Sequence, residues 1–302
     1  MYFPILRGKG SEFLALEEEK ELILAKGIVP IIELVKETKN FKNVIDIPII
    51  IIVNPIVGKF TKDRSWIDSY VIENINEHKS ITIGYQITDI TTKEDIEKFI
   101  IKWRNYDKCF IHHYKFNDID WLLREYKDEN IINIINIDKT DKNYLNYINL
   151  HFEKVVILSD GFDKKNRNVD YPEWSYFTNY CLEYKDDDLY GYSDYLTIGS
   201  KYIEGGGPAK VVAIHYTYKN DEENIIIKHF TSEESSKDKE FKEKYMEALT
   251  KLANFIYLNE EDNTDASNRF YSLYENNHVT NLAKLKQYSM QRHIESTILY
   301  SK

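Results

Sequence analysis

Short apolar runs recur along the chain, separated by charged stretches in which apolar residues return every third or fourth position. The runs predict strands at "YFPILR" (2–7), "IVPIIELV" (28–35), "IPIIIIVN" (47–54), "ITIGYQI" (81–87), "KCFIHHY" (108–114), "IINIINID" (131–138), "KVVILSD" (154–160) and "KVVAIHYT" (210–217). Most are continuous rather than alternating, as in strands buried on both faces of a parallel sheet. Between them, "SEFLALEEEKELILAKG" and "TTKEDIEKFIIKWRN" place apolar residues at i, i+3, i+4 and i+7. Each opens on a helix-start signal, Ser11 or Thr91–Thr92, with acids in the first turn. Strand alternating with helix implies right-handed βαβ units. Eight such strands predict an α/β fold, a (β/α)8 TIM-like barrel. An open doubly wound α/β sheet is the alternative, although no strand is followed by the GxGxxG fingerprint that such sheets often carry.

The alternation loosens between residues 161 and 209, which are too aromatic for disorder and too long for a tight connection. This predicts a long insertion before the last strand, of the kind that serves as a lid or binding loop. "KVVAIHYTYKNDEENIIIKHFT" then reads as a hairpin with a polar turn near Asn220–Glu223. From Ser235 the pattern is helical, in "KDKEFKEKYMEALTKLANFIYL" and "VTNLAKLKQYSMQRHIESTILY", joined by the polar "NEEDNTDASN". The predicted organisation is a barrel over 1–234 and a C-terminal helical extension over 235–302, packed on the barrel.

Composition narrows the partners. The chain has 302 residues, 30% of them charged, and a formal net charge of −10, which argues against broad binding to nucleic acid or an anionic membrane. "KLKQYSMQRH", with Lys284, Lys286, Arg292 and His293, is the one basic stretch that favours nucleic acid, and a solvated helix face explains it as well. Only Cys109 and Cys181 are present, without a CxxC pair, so neither a disulfide framework nor a cysteine zinc site is expected. Cys109, in an apolar run, reads as a buried thiol. "MYFPILRGKGSEF" has no cationic region followed by an apolar stretch, and "IPIIIIVNPIV" is too short to span a bilayer; the expectation is a cytoplasmic protein.

Barrel enzymes carry their chemistry at the C-terminal ends of the strands. Read in order, those ends are Arg7, Glu33, Asn54, Gln86, His112 or His113, Asp138, Asp160 and His215. A full ring of polar ends after apolar strands predicts a shared polar cavity. Glu33, flanked by apolar residues, suits acid or base work if burial raises its pKa; a structural ion pair with Arg7 or Lys9 is the other reading. His112 and His113 are adjacent and point opposite ways on a strand, so only one faces the mouth. His113, His215, Asp160 and Glu33 are the candidate catalytic residues. Asp138 and Asp160 could hold a divalent cation with Glu33, yet both also suit turns and caps, and no metal motif is present.

"LRGKGSEF" places Arg7 and Lys9 between the first strand and the helix opened by Ser11, with Gly8 and Gly10 freeing the backbone, a candidate anion site; an ion-paired strand end with Glu12 or Glu33 is the other reading. Gly205, Gly206 and Gly207 could cradle a phosphate through their backbone, but they precede the predicted eighth strand, where a plain bend is expected. Asn54, Gln86 and Asp138 complete the candidate ligand-binding set.

These motifs, with "DGFDKKNRNVDY", "YSDYLTIGSKYIEGGGPAKVVAIHYTY" and "NLAKLKQYSMQRHIE", resemble the sce7725 family of bacterial proteins, itself related to the beta family proteins named after a phage T4 beta protein. The likeness spans nearly the whole chain. Arg7, Gly8, Lys9, Glu12, Ala15 and Leu16 match its opening; Asp160, Gly161, Phe162, Asn168, Tyr171, Ser193, Asp194, Tyr195, the three glycines and His215 fall on family-like positions. Gly10–Ser11 replaces a longer side-chain pair, and Gln291–Arg292–His293 stands in place of a double histidine. The resemblance implies one component of a phage-defence-type module, often beside a second small protein, and carries no established reaction.

Two functions follow as expectations. In the first, the barrel mouth binds an anionic, phosphorylated or nucleotide-like ligand and hydrolyses it or transfers its phosphoryl group. In the second, the chain is a non-catalytic partner or sensor that controls a neighbouring effector such as a nuclease, through the aromatic insertion and the helical tail. The two differ at Arg7 and Glu33, which matter only to the first.

Overall fold

The structure is a computed structural model that describes residues 1–61, 65–75, 80–204, 210–234 and 238–301. Seven strands follow the predicted order: β1 (Tyr2–Leu6), β2 (Ile31–Ile32), β3 (Ile49–Ile52), β4 (Ile81–Ile87), β5 (Asp107–His112), β6 (Ile131–Asn136) and β7 (Val155–Leu158). Two further strands come next, β8 (Trp174–Tyr176) and β9 (Gly191–Asp194). β1 to β7 and β9 pair in parallel and close into an eight-stranded barrel, with β9 bonded to both β7 and β1. The chain therefore has the (β/α)8 TIM-like architecture, and the open doubly wound sheet is set aside.

The helices between the strands are α1 (Gly10–Glu18), α2 (Lys20–Lys26), α3 (Ser65–Ile75), α4 (Lys93–Lys102), α5 (Ile119–Tyr126), α6 (Lys142–Asn149) and the short α7 (Tyr180–Glu183). β3, four isoleucines, is buried throughout because neighbours on its edges and layers on both faces leave it no water. α4 starts where predicted: Thr92 accepts from the Asp95 N–H at 3.3 Å, and the Asp95 carboxylate accepts from Thr92 N at 3.0 Å. α1 starts earlier than predicted, with Lys9 rather than Ser11 as its N-cap, because Glu12 accepts the Lys9 N–H.

The closing strand is a correction. Residues 210–217 were expected to be the eighth barrel strand; that place is taken by "GYSD" in β9, inside the segment expected as an insertion. β9 docks by specific contacts rather than aliphatic bulk. Tyr192 stacks on Tyr2 at 4.7 Å, Ser193 Oγ donates to Phe3 O at 2.6 Å, and Tyr2 Oη donates to Asp194 Oδ1 at 2.8 Å. Gly191 sits so close to β1 that a Cβ would meet the Met1 carbonyl oxygen at 2.4 Å.

The chain divides into two compact units, and not at residue 234. The first is Met1–Ser159 with Leu182–Asp194, which holds the whole barrel; the second is Asp160–Cys181 with Tyr195–Lys302. In the second unit, β10 (Ala213–Lys219) and β11 (Ile225–Thr231) form the predicted hairpin, turning where Asn220 N donates to Asn224 O. β8 joins the far edge of β11, giving an antiparallel sheet in the order β10-β11-β8.

Three helices cover one face of that sheet: α8 (Phe241–Leu258), α9 (Asp265–Glu275) and α10 (Leu282–Tyr300). Their shared core includes Ile214, Tyr216, Tyr245, Leu249, Leu252 and Phe270. α9 falls partly in the stretch expected as a polar joint. Arg292 and His293 of α10 are fully buried, so they are not part of a solvated basic face. Among the described residues, no helix is long and apolar enough to cross a membrane.

Candidate functional site

Six consecutive barrel strands end in one hydrogen-bonded polar chain. Arg7, just past β1, forms a buried ion pair with Glu33, just past β2. Glu33 Oε1 also accepts from Ile56 N at 2.7 Å, Val57 N at 3.3 Å and Gln86 Nε2 at 3.0 Å. Gln86, on β4, locks to Asn54, past β3, in both directions: Gln86 N donates to Asn54 Oδ1 at 2.7 Å, and Asn54 Nδ2 to Gln86 O at 2.8 Å. Gln86 Oε1 then meets His113 Nε2 at 2.8 Å, and His113 Nδ1 meets Asn136 Nδ2, on β6, at 3.2 Å.

The proton positions follow from the acceptors. Glu33 takes the amide N–H of Gln86, which turns the Gln86 carbonyl to His113; His113 therefore donates from Nε2 and accepts from Asn136 at Nδ1. Burial, helped by the positive charges of Lys139 and Arg7, takes the pKa of His113 from 6.5 down to about 3, so this ring is neutral. Leaving such groups unpaired in the interior would cost about 1–3 kcal/mol each, which is why every side chain in the chain is bonded to the next.

His112 points the other way, as expected of its neighbour. Its Nδ1 meets Tyr144 Oη at 2.8 Å and its Nε2 meets Asn133 Oδ1 at 3.2 Å. Burial lowers its pKa to about 4, and a packing role accounts for it. Cys109 is buried with its thiol pushed far above the ordinary range, as suits an inert core residue.

The other expected residues fall in different places. Asp138 is exposed past β6 and accepts from Ser159 Oγ at 2.8 Å; its own N–H donates to Asn136 Oδ1. Asp160 belongs to the second unit, where it accepts from Phe162 N and from Ser200 N at 2.8 Å, a turn role. His215, expected at the end of a barrel strand, is on β10 of the second unit and pairs with His229. Lys9 is half-buried at the head of α1. Gly205, Gly206 and Gly207 lie outside the described residues. Among the described residues, no three His, Cys, Asp or Glu side chains are grouped to hold a metal ion, so Glu33, Asp138 and Asp160 do not form the cation site considered from the sequence.

One member of the mouth, Asn136, is not among the residues read from the strand ends, and another, Glu12, appears there only as a possible ion-pair partner. Asn136 was passed over because the apolar run appeared to continue to Asp138, whereas the strand ends at Asn136. Glu12 reads as an ordinary first-turn acid, yet it is buried and accepts the Arg7 N–H at 2.6 Å; burial raises its pKa against the pull of these bonds. Glu33 is the anchor of the chain, and acid–base work there would require Arg7 and Gln86 to move away. No protein-family model, curated protein or solved structure matches this chain.

Proposed function

We propose that the barrel mouth binds an anionic ligand bearing a phosphate or carboxylate, and that it does so as a recognition site rather than by acid–base chemistry. The observation that carries this reading is the buried polar chain from Arg7 and Glu33 through Gln86 to His113 and Asn136, with Lys139 exposed in the loop just beyond it. Arg7 is held by Glu33, so the hand offered to a ligand is Lys139, exposed in the loop after β6, with the half-buried Lys9 near the head of α1 as a second cation of this end. Glu12 is turned to the backbone at this end, accepting from the N–H groups of Arg7 and Lys9. The resemblance to the sce7725 family would make the protein a ligand-sensing component of a phage-defence-type module.

The test is a melting-temperature screen against inorganic phosphate, nucleotides and sugar phosphates, with Lys139→Ala and Lys9→Ala beside the wild type. A ligand at 100 times its Kd adds about 2.7 kcal/mol, a clear rise in Tm. Arg7→Ala is a poor probe, since breaking a buried ion pair costs about 3–5 kcal/mol by itself. A shift in the wild type that is lost in the lysine variants supports the reading. A flat screen, or equal shifts in all three folded proteins, ends it.

A further inference from the structure

Ser175, His229 and His215 form a row across one face of the second unit's sheet. Ser175 is opposite Ile227, and His229 is opposite His215, so residues 175, 227, 229 and 215 share a face by strand periodicity. Ser175 Oγ is 2.9 Å from His229 Nε2, and His229 Nδ1 is 2.9 Å from His215 Nδ1. In the direction serine to histidine to histidine, the hydroxyl donates to Nε2 and the Nδ1 proton of His229 goes to His215. That leaves His215 with its proton on Nε2, an ordinary neutral tautomer. The row stands on three paired strands, which hold side chains more firmly than loops do.

The surroundings suit a reacting serine. Phe162 and Tyr171 lie against the two imidazoles, with the Tyr171 ring 4.6 Å from each. A cleft of about 310 Å³ opens at His229, lined by Tyr171, Glu173, Thr231 and Lys251 among others. Ser175 is half-buried and so within reach of solvent. Burial takes the pKa of His229 from 6.5 down to about 4, so at neutral pH the ring is neutral and its Nε2 can accept the hydrogen bond of the Ser175 hydroxyl.

We propose that Ser175 is a nucleophile with His229 as its base and His215 as the positioning residue, and that it attacks a carboxylic ester with a short acyl group reaching it from the solvent side. Ser175 Oγ bonds to the ester carbonyl carbon while its proton passes to His229 Nε2. The C–O bond to the alcohol breaks, and the alcohol leaves with that proton. Water, deprotonated by His229, then releases the acid and restores the serine. His215 Nδ1 accepts the Nδ1 proton of His229, which keeps Nε2 aimed at Ser175. This site is independent of the barrel mouth, and neither reading depends on the other.

The test uses the full chain and an alkyl fluorophosphonate, which forms an O–P bond with an activated serine and expels fluoride. Peptide mass analysis is expected to find the label on Ser175, absent in Ser175→Ala, and slowed at least 100-fold in His229→Gln. His215→Gln, whose amide oxygen can still accept from Nδ1, should label faster than His215→Leu at equal Tm. Hydrolysis of a short-chain ester should follow the same order. Labelling elsewhere, no labelling of the folded wild type, or equal rates in His229→Gln would overturn the proposal. Equal rates in both His215 variants would remove His215 from it.

Discussion

Gln86 and His113 are joined by a 2.8 Å hydrogen bond, and this contact relays the Arg7–Glu33 ion pair to the neutral imidazole. Gln86→Leu removes a donor from Glu33 and the acceptor of His113 Nε2, leaving two buried groups short of partners. The expected loss is about 2–5 kcal/mol, read as a lowered urea midpoint. Gln86→Glu should cost more than Gln86→Leu, since it sets a second carboxylate against Glu33. The opposite order would show that Glu33 is not the fixed acceptor of the chain.

Gly191→Ala tests the closing strand. The new methyl would meet the Met1 carbonyl at 2.4 Å and the Phe3 ring at 2.9 Å. Relief requires β9 to move off β1, at a cost of about 1–3 kcal/mol. Thermal unfolding of the variant beside Gly199→Ala, where the nearest atom is at 3.2 Å but φ is positive, separates crowding from backbone strain.

Acid should loosen the barrel through its histidines. His112 and His113 titrate near 4 and 3 when folded and near 6.5 when unfolded, so the unfolded chain takes up protons first. Their contribution is complete above pH 6.5 and is lost as the pH falls toward 3. At pH 5.5 each costs about 1.4 kcal/mol. The fall in stability between pH 7.5 and 5.5 should therefore shrink by about that amount in His113→Gln. An unchanged fall would mean that the ring is exposed or charged in the native state.

Arg292 gives the second unit its own test. Its guanidinium carbon lies 4.3 Å from the centre of the Tyr216 ring, its Nε donates to Thr217 O at 3.0 Å, and its Nη2 pairs with Asp262. Arg292→Met leaves Asp262 and Thr217 O short of a donor and should cost about 3–5 kcal/mol. Arg292→Lys should recover little, because a single ammonium cannot reach the fork of partners that a guanidinium fills. Urea unfolding of the three proteins decides it.

The barrel was legible because its first seven strands are rich in isoleucine and other buried apolar residues, most plainly the four isoleucines of β3 and the Val155–Leu158 run of β7, which leave a nearly continuous apolar signature. β9 was not, since Gly191, Tyr192, Ser193 and Asp194 pair through ring stacking and side-chain bonds that leave no such run. "KVVAIHYT" has the signature, but its alternation of Ile214 and Tyr216 with His215 and Thr217 marks a two-faced antiparallel strand. At the mouth, Arg7, Glu33, Asn54, Gln86 and His113 could be found by reading strand ends. Their bonding to one another could not, because it depends on register. Ser175 and His229 gave no signal either, being ordinary residues until three strands set them in a row.

β8 is made before β9, while its partner β11 is made after it. Part of the second unit's sequence thus precedes the strand that completes the barrel. A gene cut after residue 194 would encode all eight barrel strands with an orphan edge strand in their midst; one begun at 195 would lack β8 and with it Ser175. No single cut in the sequence therefore yields both units intact.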